Sequence, residues 1–131
     1  MDRMIGITAK TQVRYPVDLS FIIIPNGAGT PTLGEGDPNA TYIVGLTRTG
    51  TGVYTFTTRD PFVALNNSDA SVTLATPAGQ WNAMLGAVKN ANGAFTFTVS
   101  IFNGAAAADI AANAASYISV WLRFRNSNLV P

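Results

Sequence analysis

Apolar and polar residues alternate with a period of two along most of this chain. In 41–58, TYIVGLTRTGTGVYTFTT, Tyr42, Val44 and Leu46 are separated by smaller or polar residues, Gly50-Thr51-Gly52 breaks the run, and Tyr54 and Phe56 resume it. Side chains of a strand point alternately to its two faces, so this pattern predicts two half-buried strands. Glycine at the break predicts the hairpin turn between them. Tyr42, Val44, Leu46, Tyr54 and Phe56 are the expected core positions of a hairpin that holds the fold.

A second hairpin is predicted over 89–97, where Asn90-Ala91-Asn92-Gly93 ends in an Asn-Gly pair. Beyond it Phe95, Phe97, Val99 and Ile101 share one face, against Thr96, Thr98 and Ser100. A last strand is predicted at 117–125, with Ile118, Val120, Leu122 and Phe124 on one face and Tyr117, Ser119, Trp121, Arg123 and Arg125 on the other. A strand at 81–89 sets Met84, Gly86 and Val88 against Leu85 and Ala87. At 18–25 the run Phe21-Ile22-Ile23-Ile24 does not alternate, which predicts burial on both faces or between partners.

The remaining segments read differently. Asp60-Pro61 predicts one helical turn, with Asp60 as cap, Pro61 at the first helical position and Phe62, Val63 and Leu65 on the core; 66–69 stops it. A short strand follows at 71–76 and a turn at 77–80. The alanine-rich stretch 103–115 has only Ile110 as a large apolar anchor, so it predicts a packed crossover with about one helical turn. Residues 1–17 are expected to form an edge strand or an arm that orders on a neighbour, and 18–131 a single β domain. About seven or eight short strands with little helix predict an all-β, antiparallel sandwich or barrel. Thr-Phe-Thr recurs at 55–57 and 96–98, which β-propensity alone explains.

Composition narrows the function. Hydrophobic residues make up 47% of the chain and charged residues 11%, against roughly 25% in ordinary soluble domains. The surface is therefore polar but nearly uncharged, which suits lasting contact between subunits. A net charge of +1 gives no general basic footprint, so neither nucleic acid nor a membrane is an expected partner. With no Cys and no His, the chain has no thiolate nucleophile, no disulfide framework and no imidazole base, and no enzymatic activity is expected. The first sixteen residues have no long apolar core, so no signal peptide is expected.

Few residues carry candidate chemistry. The loop 26–40, NGAGTPTLGEGDPNA, holds four glycines and two prolines, and long irregular loops tend to be functional. Thr32, Leu33, Glu35 and Asp37 are its contact candidates, joined by Arg3 and Arg14 from the N-terminal segment. The loop is no phosphate cradle: Thr32 stands where a third glycine is needed, and no Lys-Ser or Lys-Thr pair follows. Glu35 and Asp37 have the spacing of calcium-loop oxygens but lack the glutamate that completes an EF-hand, and no cofactor is expected. Asn39-Ala40-Thr41 and Asn66-Asn67-Ser68 match glycan-acceptor spacing, which carries little weight without a secretory signal. Isolated aspartates read as caps and turns. Trp121, Arg123 and Arg125 form an aromatic and basic stripe, residue types enriched at binding hot spots, with Asp109 as a possible partner of the arginines.

The run Arg48-Thr49-Gly50-Thr51-Gly52-Val53-Tyr54-Thr55-Phe56, followed by Asp109 and by Trp121-Leu122-Arg123-Phe124-Arg125-Asn126-Ser127, resembles small β-rich structural proteins of tailed bacteriophages, nearest to capsid decoration (cement) proteins. The resemblance covers roughly 41–127. It implies a β-sandwich or barrel that clusters, often as trimers, on the capsid surface and clamps neighbouring major capsid protein subunits. Such a protein is made in the host cytoplasm without a signal peptide and ends in the virion. The alternative expectation is a tail or head-fibre recognition module that binds a host surface glycan through loops and exposed aromatic residues.

Overall fold

The computed structural model describes residues 16–34, 41–113 and 115–125. Nine strands lie among them: β1 (Pro16–Ile24), β2 (Thr32–Leu33), β3 (Ile43–Gly50), β4 (Val53–Thr58), β5 (Ala64–Thr73), β6 (Trp81–Lys89), β7 (Phe95–Asn103), β8 (Ala106–Ala107) and β9 (Tyr117–Arg125). They form two antiparallel sheets. The first has the order β2-β1-β9-β5; the second has the order β3-β4-β7-β6, with β8 added to the end of β7. The edges β5 and β6 lie close together, but the sheets stay separate. The fold is an all-β sandwich and not a closed barrel.

Alternation builds the core. Phe95, Phe97, Val99 and Ile101 of β7 are buried, as are Ile118, Val120, Leu122 and Phe124 of β9. The rings meet across the sheets. Phe21 of β1 packs edge-on against Phe56 of β4 at 5.3 Å, and Phe124 of β9 packs edge-on against Phe97 at 6.1 Å. Each such pair contributes ~0.5–1.5 kcal/mol beyond its area burial. The two Thr-Phe-Thr segments prove to be partners: Phe56 stands opposite Phe97, Thr55 opposite Thr98 and Thr57 opposite Thr96.

Four expectations need correction. The first is the phase of β3. Ile43 is buried, whereas Tyr42 and Val44 are each 42% exposed and Leu46 is half-buried. The register against β4 slips between Val44 and Thr47, where Gly45 takes a φ of +69°. A bulge adds a residue to one strand and so shifts the alternation on either side of it. Gly45 is the residue that accepts this conformation without strain.

Second, 60–65 forms no helical turn. The Phe62 N–H donates to the Gly93 carbonyl and the Val63 N–H to the Arg125 carbonyl, so both amides serve long-range bonds. Phe62 stacks on Phe124 with ring centroids 4.1 Å apart. Third, 66–69 lies inside β5. Its ladder is supplied by β9, with Asn67 opposite Arg123 and Asp69 opposite Trp121. Tertiary pairing outweighs the turn preference of Asn and Asp here. Fourth, 103–113 carries no helix. Ala106–Ala107 adds to β7, and Ile110 is buried.

β1 runs through Phe21–Ile24 with Phe21 and Ile23 buried and Ile22 and Ile24 half-buried, so burial alternates where the sequence does not. It begins at Pro16, opposite Arg125.

Candidate functional site

The strongest polar cluster joins the β3–β4 turn to the alanine-rich crossover. Arg48 donates from Nε to Asp109 Oδ1 at 3.0 Å and from Nη2 to Oδ2 at 2.7 Å. The Gly52 N–H donates to the same Oδ1 at 2.7 Å. Gly52 has a φ of +67°, and a Cβ there would sit 2.6 Å from the carbonyl oxygens of Ile101 and Ala108. The turn thus presses against β7 and the crossover so closely that only glycine fits.

The charges in this cluster are matched. The hydrogen bond from Arg48 holds the Asp109 carboxyl below the usual aspartate range, opposed by partial burial and aided by the Gly52 amide. Beside them lies Tyr54, opposite Arg48 in the ladder and fully buried. Burial, and then the Asp109 charge, push its phenol above the usual tyrosine value, while Arg48 opposes the shift. The Tyr54 hydroxyl has no hydrogen-bond partner among the described residues. Arg48 gives two of its five N–H donors to the two carboxylate oxygens, and this forked pair clasps the turn to the crossover.

The stripe on β9 lies on the outer face of the first sheet. Arg123 donates from Nε and Nη2 to the two carboxylate oxygens of Asp18 at 2.7 and 3.0 Å, directly across the β1–β9 ladder. Asp109 is therefore the partner of Arg48 and not of the β9 arginines. The Arg123 guanidinium also lies over the Trp121 ring, 5.5 Å from its centroid. Trp121 is half-buried, and Arg125 is exposed. The Asp18–Arg123 pair is exposed to solvent and so contributes little to stability.

Of the loop candidates, Thr32 and Leu33 form β2. Leu33 packs on the core and Thr32 is exposed. The preceding turn is pinned to the crossover by the Gly27 N–H, which donates to the Ile110 carbonyl. Arg3, Arg14, Glu35 and Asp37 lie outside the described residues. A cleft of about 520 Å³ opens between Tyr42, Pro61 and Phe62 on one side and Val17 to Leu19 on the other. Among the described residues, no three acidic, His or Cys side chains gather as a metal site, and no helix is long and apolar enough to cross a membrane.

The two outer faces differ in charge. That of the first sheet carries Asp18, Asp69, Arg123 and Arg125. On the second sheet, the described outward strand positions carry no charge. Thr47, Thr55 and Thr98 form one row across three strands, and Thr57 and Thr96 stand in the next, their hydroxyls 3.2 Å apart. Met84 and Val88 on β6 stand 64% and 65% exposed at its margin. The alternation predicts this face, but its lack of charge across four strands does not show in the sequence, because the threonines read simply as solvent positions.

Comparison of the chain with known protein families, with curated proteins and with solved structures finds no match.

Proposed function

We propose that the protein is a virion structural protein, a capsid decoration (cement) protein that binds the assembled shell and stabilises it by clamping neighbouring major capsid protein subunits. It acts by binding and not by catalysis, as a homo-oligomer on the capsid surface. The observation that carries this reading is the uncharged outer face of the second sheet, on a sandwich with a matched polar clasp at one end. Protein interfaces deplete charge at their centres, and a face of threonine, methionine and valine can be covered without stranding an ion. The phage-like run from Arg48 to Phe56 supports the same reading.

The mechanism is linkage. A protein that binds the closed shell, and not its free subunits, stabilises that shell by its binding free energy. Many copies on one lattice turn a modest contact into a strong one through avidity. The alternative, a fibre module that grips a host glycan, would use Trp121 as a stacking platform; the Arg123 guanidinium already lies over that ring, which favours the capsid reading. The test is to compare particles with and without this chain under heat and osmotic shock. Particles lacking it are expected to rupture at lower temperature and milder shock; equal resistance would contradict the proposal.

A further inference from the structure

We propose that the outer face of the second sheet pairs with the same face of a second copy of this chain, about a two-fold axis centred near Gly86. This goes beyond the capsid reading: it assigns the uncharged face to the contact between copies in the homo-oligomer, and leaves the other surfaces of the dimer to meet the shell.

The starting point is a glycine the subunit does not need. Gly86 lies in the middle of β6, where glycine weakens a strand and often marks the close approach of another backbone. Its φ is not in the left-handed region, and an added Cβ would meet only the Thr98 carbonyl oxygen, at an ordinary 3.9 Å. Nothing inside the fold uses the missing side chain. Outside it, Gly86 leaves a depression of about 300 Å³ walled by Met84, Thr98, Ser100 and Phe102. The exposed Met84 stands beside this hollow. A two-fold operation places the Met84 of each copy over the Gly86 hollow of the other, the reciprocal contact an isologous interface requires.

The chemistry of the face suits a copy of itself. Hydroxyls both donate and accept, so a threonine array can hydrogen-bond to an identical array, which carboxylates or ammonium groups facing their own kind cannot do. With no charge on the described outward strand positions, juxtaposing two copies sets no like charges against each other. The size approaches what such a contact needs. The four strands hold 32 residues between them, which gives a projected footprint of roughly 520 Å² before side-chain relief is added. A stable interface needs about 800 Å² of accessible surface per partner. The outer face of the first sheet, with Asp18, Asp69, Arg123 and Arg125, offers no comparable self-match.

The experiment is a solution mass measurement on the purified full chain by light scattering and native mass spectrometry, at tens of micromolar subunit. Wild type is expected to have twice the 13.7 kDa subunit mass. Gly86→Leu, which fills the hollow, and Thr98→Lys, which places a charge at the centre of the face, are each expected to run at the subunit mass with an unchanged strand signal in circular dichroism. Ser71→Lys, on the outer face of the first sheet, is expected to remain a dimer. A monomeric wild type, an oligomer other than a dimer, or a dimer that both Gly86→Leu and Thr98→Lys leave intact would overturn the proposal.

Discussion

Arg48 and Asp109, 61 positions apart, meet in a two-point ion pair that closes one end of the sandwich. Arg48 belongs to the β3–β4 hairpin of the second sheet, and Asp109 to the crossover that leads into β9 of the first. The Gly52 amide completes the carboxylate's shell. The clasp therefore ties the β3–β4 turn of the second sheet to the crossover that leads to the first.

Acid is expected to loosen the clasp. The Asp109 carboxyl is held low chiefly by the Arg48 hydrogen bond, and that of Asp18 chiefly by the Arg123 hydrogen bond. The unfolded chain thus binds these protons more tightly than the folded one. The stability they contribute is present above the unfolded value near 3.8 and is lost as pH falls through the lower folded values. Urea midpoints measured from about pH 6 to about pH 2 should fall below roughly pH 4. Asp109→Asn should flatten part of that slope at any salt concentration; the Asp18→Asn effect should shrink with added salt, because that pair is exposed. An Asp109→Asn curve parallel to wild type would argue against the clasp.

Two glycines with the same backbone angle should behave differently. Gly52 and Gly104 both have a φ of +67°, but a Cβ at Gly104 meets nothing within 4 Å, whereas at Gly52 it strikes two carbonyl oxygens. Gly104→Ala is expected to cost only backbone strain, ~1 kcal/mol. Gly52→Ala adds the clash and the displaced Asp109 bond, and should cost ~3 kcal/mol or more. Denaturant unfolding of the two variants gives the difference directly; equal costs would mean that the turn does not press on the crossover.

Tyr54→Phe should be neutral or stabilising by up to ~1 kcal/mol. The ring is fully buried, and its hydroxyl has no partner among the described residues, so removing the oxygen removes a desolvated polar group and keeps the packing. A loss above ~1 kcal/mol in thermal or urea unfolding would show that the hydroxyl is held.

Most of the fold was legible in the sequence because most strands have one buried face. β6 and β9 begin and end where alternation places them. What escaped was set by contacts distant in sequence. The amides of Phe62 and Val63 bond to Gly93 and Arg125, and that geometry replaces the helical turn that Asp60-Pro61 suggests. The run 66–69 looks like a stop until β9 supplies its ladder. Gly45 reverses the facing of Tyr42 and Val44 through a bulge that a single glycine does not announce. The Arg48–Asp109 pair was not legible: Asp109 reads as a partner for Arg123 and Arg125, and only the folded hairpin brings Arg48 to it, 61 positions away. Trp121, Arg123 and Arg125 do share an outer face as expected, but the feature that sets the two faces apart is the lack of charge on the other one.

Copy number tests the capsid reading most directly. Quantitative mass spectrometry of purified particles is expected to find this chain in a fixed ratio to the major capsid protein, at many copies per particle, and to find that ratio preserved in shells separated from their tails. A few copies per particle, or copies that leave with the tail, would contradict a cement role and point to the fibre alternative.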